Sequence, residues 1–152
     1  MSPIPDQDAA DRLLHTLTSH DDREAEVLGA YRRLAESTDD DGVRYLVQFL
    51  IEDEERHHRI IRDMASRVHS WIDHTEVLDS TPSITPHLDR EFLEATRKLI
   101  ALERNDAKEL HELHRELRYA PPTSLLPILV KLMLSDTNRH IDILRFLRTY
   151  TG

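Results

Sequence analysis

Apolar residues recur along most of the chain at the three- and four-residue spacing that places them on one side of an α-helix. Four such stripes can be drawn. The first covers about residues 6–37 on Ala10, Leu13, Leu14, Leu17, Leu28, Tyr31 and Ala35. The second covers about residues 42–72 on Val43, Leu46, Leu50, Ile60, Ile61, Met64 and Val68. The third covers about residues 88–119 on Phe92, Leu99, Ile100, Leu110 and Leu117. The fourth starts from a cap at Thr123 or Ser124 and runs to about residue 149 on Leu125, Leu129, Leu132, Met133, Ile143 and Leu147. Pro127 is compatible with this last helix because it falls near the first turn.

The breaks between the stripes predict how the helices connect. Thr38-Asp39-Asp40-Asp41-Gly42 and Ala120-Pro121-Pro122 are short, so helices one and two, and helices three and four, are expected to form antiparallel hairpins. Residues 73–87 show no helical pattern and contain Pro82 and Pro86. Extended, about 15 residues reach ~50 Å, whereas a helix of about 26 residues is ~39 Å long. The segment can therefore run the length of a bundle and leave helices two and three parallel. The predicted fold is all-α: an antiparallel four-helix bundle in one domain, residues 1–152, with a long crossover between helices 2 and 3.

Composition narrows the functional classes. The 152 residues are 39% apolar, enough for one core, and no apolar run approaches the ~20 residues of a membrane span. The N-terminal Met1-Ser2-Pro3-Ile4-Pro5-Asp6 shows no basic region followed by an apolar one, which makes a cytoplasmic location the expectation. The absence of cysteine excludes disulfides and thiolate metal sites. A net charge of -9 argues against nucleic acid as a partner, since that binding runs on Lys/Arg contacts to phosphate.

Several stripes carry acids and imidazoles at their centres, where an unpaired charge costs several kcal/mol. Plotted at 100° per residue, Glu24 falls on the centreline of helix one, His57 on that of helix two and Glu103 on that of helix three. Glu54 lies about 60° to one side of His57, and Asp53 about 40° to the other. In helix four Asp136 and His140 both lie inside the stripe, one turn apart. Carboxylates gathered at one depth in a core call for neutralising cations, and oxygen-plus-imidazole ligation suits iron or manganese. Glu52, Glu55 and His58 are expected to meet water. His20 and His114 sit on inner faces as extra ligands, proton relays or hydrogen-bonded core residues. Asp106 and Arg139 flank the stripes and are expected to pair. Val47 and Ile51 lie beside the helix-two stripe, where they widen the core or form a dimer patch.

The set resembles the ferritin-like di-metal carboxylate proteins, in particular their bacterioferritin and rubrerythrin branches. Glu24 and Tyr31 have the family's Glu-to-Tyr spacing in helix one, and Asp53-Glu54-Glu55-Arg56-His57 has its Asp-Glu-x-x-His. Leu102-Glu103 with Ala107 matches helix three, and Asp136-Thr137-Asn138-Arg139-His140-Ile141-Asp142-Ile143-Leu144 resembles helix four. The family's fourth-helix Glu falls on Thr137, so Asp136 is expected to take its place, and the second metal position is altered, weakened or lost. The resemblance implies a ferritin-like bundle with Glu24, Glu54, His57, Glu103, Asp136 and His140 as metal ligands. It further implies di-iron or manganese as cofactor, ferroxidase or oxygen/peroxide-reactive oxidoreductase activity, and a homodimer through helices 1 and 2. Tyr31 would support a ligand carboxylate or simply fill the core. The alternatives are a non-catalytic metal-binding protein and a metal-free helical interaction module.

Overall fold

The computed structural model describes residues 6–74 and 90–151 of the chain, with side chains to residue 149. Among the described residues the fold is all-helical: α1 (Gln7–Glu36), α2 (Asp41–Asp73), α3 (Arg90–Glu116), a 3₁₀ turn (Leu117–Tyr119) and α4 (Leu126–Thr151). The expected crossover lies outside the described residues from residue 75 onward, as does the expected start of helix three at Leu88. No helix of the described residues is long and apolar enough to cross a membrane.

The chain divides into two compact units, one holding α1 and α2, the other α3 and α4. In the first, the caps follow from local chemistry. The Asp6 carboxylate accepts from the Ala9 amide at 2.8 Å and starts α1. The Asp40 carboxylate accepts from the amides of Gly42 and Val43 at 2.9 and 3.1 Å and starts α2. Thr38 Oγ1 in turn accepts from the Asp40 amide at 3.1 Å, which fixes the connection. His74, in the left-handed region at φ 53°, closes α2 by donating its amide to the Ser70 carbonyl. In the second unit Ser124 Oγ accepts from the Leu126 amide at 3.3 Å, one of the two caps expected there.

α1 packs along α2, and the pairing runs antiparallel: Asp21 meets His58 while Arg32, further along α1, meets Glu55, further back on α2. The seam repeats at alternating four- and three-residue steps. On α1 it is Ala10, Leu14, Leu17, Asp21, Glu24, Leu28, Tyr31 and Ala35, and each is buried or half-buried. On α2 it is Val47, Ile51, Glu54, His58, Ile61, Ala65, Val68 and Ile72, again all buried or half-buried. This is the 3.5-residue period of packed helix pairs. Ala10, Leu17 and Val68 form the core toward the open end, with Leu14, Ile61, Ala65, Trp71 and Ile72 against them. Leu28, Val47 and Ile51 form the core toward the turn, with Tyr31 and Ala35.

Helix two is therefore rotated from the sequence expectation. Val47 and Ile51 are core residues at 4% and 8% exposure, whereas Leu50 and Met64, expected at the centre, are exposed. The second unit shows the same kind of seam: Thr96 and Ile100 of α3 and Val130, Thr137 and Ile141 of α4 are buried. Met133 and Ile143 of the expected helix-four stripe are exposed. On α2 and α4 the seam uses branched and small side chains instead of a neighbouring leucine- and methionine-rich stripe.

Candidate metal centre

Both apolar halves of the α1–α2 seam end at a polar middle. Two consecutive seam positions on α1 are Asp21 and Glu24, and the two on α2 are Glu54 and His58. Glu24, Glu54 and His57 each bring one ligand atom within 4.8 Å of the others. Glu24 is buried at 9% exposure, Glu54 is half-buried and His57 is exposed, so the group opens from the seam toward the surface on the His57 side.

The electrostatics of this group are those of two carboxyls forced together. Glu24 Oε1 lies 2.8 Å from His20 Nε2. Glu24 Oε2 is buried and has no hydrogen-bond donor. Two remedies exist, a proton held between the carboxyls or a cation. In the absence of a cation the first operates. A hydrogen bond to Glu24, with burial and the Glu24 charge behind it, pushes the Glu54 carboxyl up from 4.5 to about 7. The hydrogen bond from Glu54 holds Glu24 below its ordinary value against the opposing effect of burial, helped by His20. One proton is thus shared by the pair near neutral pH, and a divalent cation would replace it. The donor set, two carboxylate groups and an imidazole with a buried orphaned oxygen, fits an ion that accepts mixed oxygen and nitrogen ligands, such as iron, manganese or zinc.

The neighbouring groups are ordered around the trio. Asp53, expected at the margin, is half-buried and bound by Arg56 at 2.6 Å. Glu55 is exposed and pairs with Arg32 at 3.0 Å. His58 departs from expectation. The sequence places it on the solvated face, yet its side chain is only 17% exposed and its Nδ1 lies 3.3 Å from Asp21 Oδ1. The rotation of α2 is the reason, because a seam through Val47 and Ile51 carries His58 inward with Glu54. Arg62 Nε approaches the same Asp21 oxygen at 3.5 Å. Asp21 was open to sequence reasoning, since a 100° wheel already places it between Ala10 and Leu14 in the helix-one stripe; Arg62 carried no signal beyond its spacing from His58. Tyr31 packs in the apolar cluster beside Leu28.

In the α3–α4 unit Glu103 and His140 meet, Oε1 to Nδ1, at 3.2 Å. Glu103 is half-buried and His140 is exposed. Asp136, the expected substitute for the missing family Glu, is half-buried and bound by Arg139. Arg139 therefore does not pair with Asp106 as expected. Asp106 is exposed and lines an open depression with Glu109, Leu110, Leu113, Met133 and Thr137. Thr137 itself occupies the seam at 7% exposure. Of the six ligands expected from the sequence, the structure thus brings three together in one unit and pairs two in the other. Comparison of the chain with protein-family models, curated proteins and solved structures returns no match.

Proposed function

We propose that the chain is a metal-binding protein whose primary site is Glu24, Glu54 and His57 on the α1–α2 hairpin. The observation that carries this reading is the convergence of three ligand atoms within 4.8 Å around a buried carboxylate that has an orphaned oxygen. A site of this kind binds a cation in exchange for the proton that otherwise holds the two carboxyls together.

The finer reading is a ferritin-like four-helix bundle formed by the two hairpins, in which Glu103, His140 and Asp136 supply the second half of a di-iron or iron/manganese centre. Its support is the resemblance of the ligand spacing on helices one to three, the partial match on helix four, and the Glu103–His140 contact. A bound iron pair would supply redox chemistry with dioxygen or peroxide; the residues of the chain hold it and set its charge. The pairing of Asp136 with Arg139, and Thr137 at the position of the family Glu, favour a second reading in which one ion is bound without turnover.

Metal counting separates the readings. Chain stripped with chelator and reloaded anaerobically with ferrous iron or manganese is expected to retain at least one ion, and Glu54→Gln or His57→Ala is expected to lose it. Two ions per chain and oxygen-dependent oxidation of ferrous iron support the di-metal enzyme. One ion and no oxidation support the non-catalytic site. No retained metal in the parent, or equal retention in the variants, rejects metal binding at these residues.

A further inference from the structure

α2 carries two apolar faces, and only one of them can meet α1. The face used is Val47, Ile51, Ile61 and Val68; the other is Val43, Leu46, Leu50, Ile60 and Met64, turned from the first by roughly 75° at 100° per residue. Hydrophobic burial is non-directional and does not discriminate between them. The short connection at residues 37–40 sets the height of the two helices but leaves each free to rotate about its own axis. A selective contact has to come from the polar middle of the seam.

We propose that Asp21, His58 and Arg62 form a positioning layer that selects the face of α2 presented to α1 and thereby brings Glu54 against Glu24. The second half of this inference rests on the metal reading above; the first does not. Three observations carry it. Asp21 and His58 occupy seam positions on opposite helices, with 24% and 17% of their side chains exposed and 3.3 Å between Oδ1 and Nδ1. Arg62 lies one turn beyond His58 on α2 and closes on the same Asp21 oxygen at 3.5 Å, so both partners of Asp21 come from one edge of α2. Both Asp21 Oδ1 and His58 Nδ1 are buried yet lack a well-formed hydrogen bond. A layer so poorly hydrogen-bonded adds little to stability compared with an apolar pair of the same size. Its effect is on specificity: with the Leu50–Met64 face turned inward, His58 leaves the seam and Asp21 is buried with no cationic partner. Single polar layers set register in helical pairs in the same way. Glu54 precedes His58 by one turn, so the choice that seats His58 also seats Glu54.

The chain has no cysteine, so single thiols report each face cleanly. Ile51→Cys and Leu50→Cys are introduced separately into the parent and into Asp21→Leu/His58→Leu, and labelling rates are compared. In the parent the thiol at 51 is expected to react at least about tenfold more slowly than that at 50, because labelling there needs local opening. In the apolar-layer variant the ratio is expected to collapse toward one. The exchange Asp21→His/His58→Asp, which rebuilds the pair in reverse, is expected to restore it. Manganese binding followed by loss of the free-ion spin resonance signal is expected to weaken by about 10–100-fold in the apolar-layer variant and to recover in the exchange. An unchanged labelling ratio, or an exchange that restores nothing, overturns the proposal. His58→Gln, which keeps the layer polar but unpaired, decides the matter if the double leucine variant does not fold: a ratio at the parent's level overturns the proposal, and a reduced one upholds it. A parent that binds no manganese rejects the metal reading and leaves the labelling ratio to judge the positioning layer alone.

Discussion

At the scale of single residues, the Glu24–Glu54 pair makes the protein sensitive to pH in a definite direction. The folded chain holds the Glu54 proton up to about 7, against 4.5 ordinarily. A carboxyl with a raised pKa stabilises the fold below its unfolded value, and that contribution is lost as the pH rises from 4.5 through about 7. Glu24, with its pKa lowered, contributes above 4.5 and loses that contribution only in more acidic solution. Between the two limits the Glu54 slope is the one that counts. The melting temperature of the metal-free parent is expected to fall from pH 5 to pH 8 more steeply than that of Glu54→Gln, which has no proton to lose. Equal slopes in calorimetry would refute the shared proton. His57 is a different case. It is exposed, so His57→Ala is expected to leave metal-free stability within about 0.5 kcal/mol. The same substitution is expected to weaken metal binding by more than about a hundredfold, beyond what loss of an outer-shell partner costs. Titration calorimetry with manganese and thermal melts of the same sample read both numbers.

At the scale of elements, caps and seams can be tested separately. Asp40 accepts two amide hydrogen bonds at the start of α2, whereas Asp39 is fully exposed beside it. Asp40→Ala is expected to cost about 1 kcal/mol and Asp39→Ala close to nothing in urea unfolding. Leu17, buried at 6% against Ala10 and Val68, is expected to cost about 2–3 kcal/mol when cut to Ala. The position of each helix was legible because capping acids, prolines and periodicity are local signals. Ser124, one of the two residues expected to cap helix four, accepts the Leu126 amide, and Asp40 supplies the cap at the acidic break before α2. The face of α1 was legible too, since Leu17 and Leu28 sit where the stripe placed them. On α3 the match is partial: Ile100 is buried as expected, but Phe92 and Leu99 of the same stripe are exposed. The faces of α2 and α4 were not legible. Each has two apolar stripes, and the leucine-rich one dominates any count of hydrophobicity. His58 lies about 100° from the centreline of the leucine-rich stripe at 100° per residue, so it turns inward only because α2 uses its other face.

At the scale of the whole molecule, the metal reading predicts a stability that depends on the ion. An ion present at about a hundred times its dissociation constant would add ~2.7 kcal/mol to the folded state. For a chain of this size that is a rise of roughly 5–10 °C in melting temperature. Chelator should remove the rise, and Glu24→Gln should never show it. A melting curve indifferent to chelator and added metal would instead favour the metal-free interaction module. The division of the chain into two hairpin units sharpens this test, because the three converging ligands lie in the α1–α2 unit alone. Variants at Glu103 or His140 are expected to change the second binding step and leave the first intact.

Helix content, helix ends, hairpin pairing and the presence of acids and imidazoles at mid-helix were determined by the sequence itself, because each depends on residues within a few positions of one another. Which face of α2 and of α4 turns inward was decided only in the tertiary structure. That choice depends on how a partner helix meets the stripe, and two stripes of similar apolarity lie side by side on α2 and on α4. The consequence falls on the candidate site. Glu24, Glu54 and His57 were recognisable from spacing, but the proton that Glu54 holds toward Glu24 and the inward turn of His58 toward Asp21 exist only once the α1–α2 seam closes.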